Sequence, residues 1–195
     1  LSSAVIEGML ATAAPTLVVM DGDMQHDEAI LPKLIDAVTS GDAEMAIGTR
    51  YAEGGGVGDW DKKRLWMSQL ATRAGQWALG TTVNDPMSGF FALRREAFHR
   101  ALPKLSAIGY KILLDILASS PTPLKVAEIP YHFRNREAGE SKIGARVIAE
   151  YAEMIAEKTI GRYVPVRLLK FLMVGGLGVF VHLAILRLLL GAGLE

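Results

Sequence analysis

Apolar positions along this 195-residue chain recur with two spacings, and the switching between them sets out the elements. Val5, Ile6, Met9 and Leu10 fall at helical spacing behind Ser3, a residue suited to capping, so the pattern predicts a helix over 2–13. The unbroken apolar run 17–20 reads as a buried strand that ends at Asp-Gly-Asp. Ile30, Leu31, Leu34, Ile35 and Val38 form the inner stripe of a helix over 28–40, stopped by Ser40, Gly41 and Asp42. A short strand over 44–48 then ends at Thr49 and Arg50. Further on come a helix over 65–79, the turn-rich stretch TTVNDPMSGFFALRREAF, a helix over 111–118 and a strand over 124–129. Ile143, Val147, Tyr151, Met154 and Ile155 line one side of an amphipathic helix over 143–160.

Helix and strand alternating at this spacing predict an α/β domain with a largely parallel sheet. Ligands of such sheets sit at the carboxyl ends of the strands. Both DGD (21–23) and Arg50 fall there. Two polar, glycine-bearing stretches, YAEGGGVGDWDKKR (51–64) and HFRNREAGESK (132–142), read as loops.

From Pro165 the pattern changes. Residues 171–186 contain no Asp, Glu, Lys or Arg, and 168–194 is long enough to span a bilayer if Arg187 snorkels or meets a partner helix. Its glycine-rich, all-round apolar character suits lipid and helix contacts better than a soluble core. Arg162, Arg167 and Lys170 precede it, so the positive-inside rule places the α/β domain on the cytoplasmic side. The 143–160 helix then either lies along the membrane surface or packs on its own domain. Lys plus Arg and Asp plus Glu number 21 each, which gives no electrostatic case for a nucleic-acid partner. The absence of cysteine excludes disulfides and thiolate chemistry.

The stretch VVMDGDMQHDE (18–28) carries the most chemistry. Two carboxylates one residue apart at the end of a buried strand are costly to hold together unless a positive charge joins them. A calcium loop beginning at Asp21 would need Gly at its sixth position and Glu at its twelfth, where this chain has His26 and Pro32. A phosphatase-type aspartyl nucleophile has no other support, and a plain surface turn is the ordinary alternative. What remains is a divalent cation bridging the carboxylates to a diphosphate, with few protein ligands.

With its neighbours, that stretch resembles the DxDxQH segment of family 2 glycosyltransferases of the GT-A fold, in particular the dolichyl- and polyprenyl-phosphate mannose synthases. GTRY (48–51), NDPMSGFF (84–91) and REAGESK (136–142) match in the same order, and KFLMVGGLGVFVHLAIL (170–186) resembles the first helix of a GtrA-type membrane domain. The resemblance implies a partial, Rossmann-like GT-A domain over 1–142 that lacks its base-binding first third, an interfacial helix and linker over 143–164, and a membrane helix from 165 to 195. It implies that Asp21, Asp23 and Gln25 hold Mg²⁺ or Mn²⁺. Arg50, Arg64, Ser68, Arg136 and Lys142 would gather donor and acceptor phosphates, with Asp23, Asp85 and the three arginines at the reaction centre. The partners implied are a nucleotide sugar, GDP-mannose first, a polyprenyl or dolichyl phosphate, and membrane lipid. Transfer would be inverting, and the 195 residues alone would not turn over.

Each residue also has an ordinary reading as the lesser alternative: Arg50 and Arg64 as surface arginines, Asp85 before Pro86 as the opening of a turn, and Arg136 and Lys142 as a solvated loop. His26 reads as a packing residue rather than a ligand, and Arg94 and Arg134 have no particular claim. Two other functions fit the same residues: a polyprenyl-phosphate glucose synthase using UDP-glucose, and a non-catalytic scaffold that binds lipid phosphate.

Overall fold

The computed structural model describes residues 1–56, 62–80, 82–107, 109–134, 145–161 and 163–191. Two compact units divide the chain, residues 1–155 and 156–195. In the first, helix α1 (Ser2–Leu10) leads to strand β1 (Thr16–Met20), and a single 3₁₀ turn precedes α2 (Leu31–Thr39) and β2 (Met45–Thr49). Then follow α3 (Lys62–Leu79), β3 (Phe90–Arg94), α4 (Arg95–Ala101), α5 (Ile112–Ser119) and β4 (Val126–Pro130).

The sheet order is β1-β3-β2-β4. β2 and β4 pair in parallel, whereas β3 runs antiparallel between β1 and β2. The sheet is therefore mixed, not largely parallel. The difference lies in FFALRREAF, which the pattern reads as turn and which forms β3 and α4. A strand buried on both faces has no polar alternation to betray it. Phe90, Phe91, Ala92 and Leu93 are all fully buried.

The pleat sorts these side chains to opposite faces. Phe91 and Leu93 join Leu17, Met45, Ile47, Phe98, Leu113 and Ile116 in one core beneath α1, α4 and α5. Phe90 and Ala92 join Leu34, Val38, Ala46 and Tyr131 in a second core beneath α2. Each large side chain so buried contributes roughly 1.5–3 kcal/mol, so Phe90, Phe91 and Phe98 bind both layers to the sheet. Arg94 closes the far end of α2, donating from Nε to Val38 O at 3.0 Å and from Nη2 to Gly41 O at 2.8 Å.

One consequence of the mixed sheet positions the site. The carboxyl ends of β1, β2 and β4 and the start of β3 all meet at the same edge of the sheet.

α6 (Ala145–Thr159) begins in the first unit and ends in the second. Within the first it packs on the α/β domain: Tyr151 donates to Ala71 O at 2.7 Å, and Met154 is buried. A side chain on Gly75 of α3 would meet the Tyr151 hydroxyl at 2.7 Å, so a glycine is what lets the two helices approach here. The second unit holds α7 (Val166–Gly191), a 26-residue helix with no buried residue, in which an 18-residue stretch has a mean hydropathy of 2.1. By length and composition it is able to cross a membrane.

Candidate active site

Asp21 and Asp23 stand at the carboxyl end of β1. The Asp21 amide donates to Gly89 O at 3.1 Å, and its half-exposed carboxylate rests directly on Gly89, where an added Cβ would lie 2.0 Å from Oδ2. A Cβ at position 89 would displace that carboxylate from its place. Asp23 Oδ1 accepts from the Gln25 amide at 3.3 Å, and Met24 between them takes a left-handed φ of 60° that turns the chain.

Gln25 is buried. Its side-chain Nε2 donates to Arg134 O at 3.0 Å and its backbone carbonyl accepts from Arg134 N at 2.8 Å, so the residue is fixed at both points and its Oε1 is the atom able to serve a cation. The Arg134 side chain reaches Asp27 at 2.9 Å and Glu28 at 2.8 Å. An arginine with no sequence claim thus ties the segment after β4 to the turn after β1.

His26 packs among the rings of Phe90, Tyr131 and Phe133, as a packing residue should. Its Nδ1 lies 2.7 Å from the Tyr131 hydroxyl and its Nε2 lies 3.7 Å from Asp21 Oδ2. Burial pushes the Tyr131 phenol well up, with Asp85 and Asp21 adding to the rise and Arg50 opposing it, so the phenol keeps its proton.

Every polar residue of NDPMSG (84–89) has a partner. Asn84 binds both oxygens of Glu128 on β4, through its amide N at 2.9 Å and Nδ2 at 2.8 Å. Ser88 donates to Gly48 O at 2.7 Å. Asp85, fully buried, takes a two-pronged contact from Arg50: Nε to Oδ2 at 2.7 Å and Nη2 to Oδ1 at 2.9 Å. The Arg50 amide adds a third bond at 3.3 Å. Burial works against the charge of Arg50, but the hydrogen bonds and attraction of Asp85 outweigh it and raise the guanidinium above its ordinary value. Asp85 is therefore no open turn residue, and Arg50 no surface arginine.

Sequence reasoning missed Lys111. It precedes α5, and its ammonium donates to Met87 O at 3.2 Å while lying 4.6 Å from the centre of the Tyr110 ring. Burial, then the charge of Arg50, pushes it down to about 8, against the pull of Asp85 and Asp21. The available signal was a lone lysine directly before ILLDIL, a run with no other cation.

Arg64 and Ser68 lie on α3, but their side chains fall outside the described residues, as do Arg136 and Lys142 entirely. The described part therefore unites Asp21, Asp23, Gln25, Arg50, Asp85 and Lys111 at one edge. Among the described residues no group of three His, Cys, Asp or Glu is placed to hold a metal. Two hard carboxylates with one amide oxygen suit instead a cation that takes most of its ligands from a substrate and water.

Comparison with known proteins gives a consistent picture. Residues 1–102 match the family described as glycosyl transferase family 2. A dolichol-phosphate mannosyltransferase of Pyrococcus furiosus is 39% identical across 100% of this chain and 54% of its own length. The Saccharomyces cerevisiae protein of the same name is 35% identical over 84% of this chain and 62% of its own. A polyprenol monophosphomannose synthase of Mycolicibacterium smegmatis is 36% identical over 72% and 54%. The chain thus spans a little over half the length of these relatives. Among solved structures, a glucosyl-3-phosphoglycerate synthase of Mycobacterium tuberculosis, in complex with Mn²⁺, UDP-glucose and phosphoglyceric acid, superimposes with a TM-score of 0.57. It covers 81% of this chain and 54% of that one at 15% identity, a likeness of fold alone.

Proposed function

From the premise that the chain belongs to glycosyl transferase family 2, we propose that the whole protein moves a mannosyl group from GDP-mannose to a polyprenyl or dolichyl phosphate. The names of the relatives at 35–39% identity support the sugar and the acceptor class. The observation that carries the reading is the pair Asp21 and Asp23 at the carboxyl end of β1, with Asp21 set on the bare face of Gly89.

A phosphate oxygen of the lipid attacks the anomeric carbon as the bond from that carbon to the donor diphosphate breaks. The nucleoside diphosphate leaves and the anomeric configuration inverts. A lipid monophosphate with a second pKa near ~6 is already largely dianionic at neutral pH, so no side chain must remove a proton. The residues have a different task, holding two anions together, which suits arginines and lysines rather than a Ser/His pair. Asp21, Asp23 and Gln25 Oε1 would hold Mg²⁺ or Mn²⁺, whose charge offsets that growing on the leaving diphosphate. Arg64, Ser68, Arg136 and Lys142 are the proposed phosphate contacts. Arg50, gripping Asp85, frames the floor between them. The apolar α7 is the proposed membrane helix, and Arg167 and Lys170 at its start favour the cytoplasmic face for the chain that precedes it.

The test is transfer of radiolabel into lipid by the full-length protein in liposomes with polyprenyl phosphate and Mg²⁺ or Mn²⁺, offering GDP-mannose beside UDP-glucose. Label from GDP-mannose that disappears with EDTA and in Asp23→Ala is the expected result. Label from UDP-glucose alone would make it a glucose synthase, and none from either donor would leave a lipid-phosphate scaffold.

A further inference from the structure

The structure assigns a phosphate-binding role to Lys111: we propose that its ammonium receives a phosphoryl oxygen of the substrates at the floor of the site. This rests on the transfer reading above. Three observations place the group. Its Nζ is anchored by one bond, to Met87 O at 3.2 Å, which holds it against the NDPMSG turn. An ammonium carries three donors, so two are left for a ligand. Its electrostatic neighbours are Asp21, Asp85 and Arg50, which puts it among the residues at the strand ends although it lies on a different segment.

The third observation concerns Arg50. The resemblance gives Arg50 to phosphate, but both Nε and Nη2 are engaged with Asp85. A cation bound so closely to a carboxylate offers an incoming anion little net charge. Lys111 has no carboxylate within hydrogen-bonding distance among the described residues; its close partners are a carbonyl and a ring. A cation with no carboxylate hydrogen-bonded to it keeps donors and charge for an incoming anion.

The loop that carries Lys111 is built to keep it still. Asp115, fully buried, accepts from Ser106 N at 2.9 Å, Ser106 Oγ at 2.8 Å and Ala107 N at 3.1 Å. The Ser2 amide donates to Gly109 O at 3.2 Å, so α1 holds the other side. Such anchoring fits a group that must meet its ligand in one position.

Calorimetry on the full-length protein in detergent separates the two sources of phosphate. One arm titrates GDP with Mg²⁺, and the other a short-chain polyprenyl monophosphate. Lys111→Met is expected to weaken one arm about tenfold or more, the worth of a charge-assisted hydrogen bond. Lys111→Arg should retain most of that affinity, and the melting temperature of Lys111→Met should not fall. Unchanged binding of both ligands by Lys111→Met, with the wild type binding normally, overturns the assignment alone. A lowered melting temperature with equal loss in Lys111→Arg also overturns it, marking Lys111 as a brace for Met87. A wild-type protein that binds neither ligand overturns the transfer reading, and this assignment with it.

Discussion

Arg50 and Asp85 lie 35 residues apart in sequence and share two side-chain hydrogen bonds at the buried end of the site. A pair of this kind is costly to halve, because the survivor keeps its charge without a partner. Arg50→Met is expected to lower unfolding stability by about 3–5 kcal/mol, and Arg50→Met with Asp85→Leu to recover much of it, both read by chemical denaturation. The charge of Lys111 gives a second prediction. Its pKa falls from 10.5 to about 8 on folding, so between those values the unfolded chain binds a proton that the folded chain does not. Stability therefore rises with pH through that window, and any affinity for phosphate resting on the ammonium falls as pH passes 8. Melting curves from pH 7 to 10 should show Lys111→Met gaining on the wild type at the acid end and losing that lead at the alkaline end. At this scale the sequence showed residue types but not partners. DGD and Arg50 are legible because they end strands, whereas the grip of Arg50 on Asp85 and the inward turn of Lys111 depend on contacts made only when distant segments meet.

Elements were legible where burial is one-sided. The stripe Leu34 to Val38 announces α2, and the helix predicted over 2–13 is found as Ser2–Leu10. β3 was not legible, because a strand covered on both faces and a turn-bearing approach through NDPMSG leave no period to read. Its antiparallel course followed from nothing local. The loop before α5 shows how much one residue does: Asp115, in the first turn of α5 where a carboxylate is favoured, receives the backbone of Ser106 and Ala107, the latter at a φ of 55°. Asp115→Ala should strand those amides and cost about 3 kcal/mol, measured by thermal unfolding. It should also weaken nucleotide or lipid-phosphate binding through Lys111, although it touches neither ligand.

The whole molecule joins an α/β unit to a second unit that holds one long apolar helix. In the first, the mixed sheet gathers Asp21, Arg50 and the 131–134 segment at one edge, an arrangement foreshadowed by strand ends in the sequence. In the second, α7 exposes Phe171, Val174, Leu177 and Phe180 along its length, a surface suited to acyl chains rather than water.

β1 lies at the border of the sheet, and among the described residues no strand pairs with its outer side. Its unpaired amides and carbonyls, beside Val18 and Met20, each more than a third exposed, are a template on which another copy is able to add a strand. Purified in detergent that covers α7, the 195-residue chain should therefore gather into strand-paired oligomers as its concentration rises. Val18→Lys should hold it dispersed in sedimentation runs, since a charge on that border repels an approaching copy.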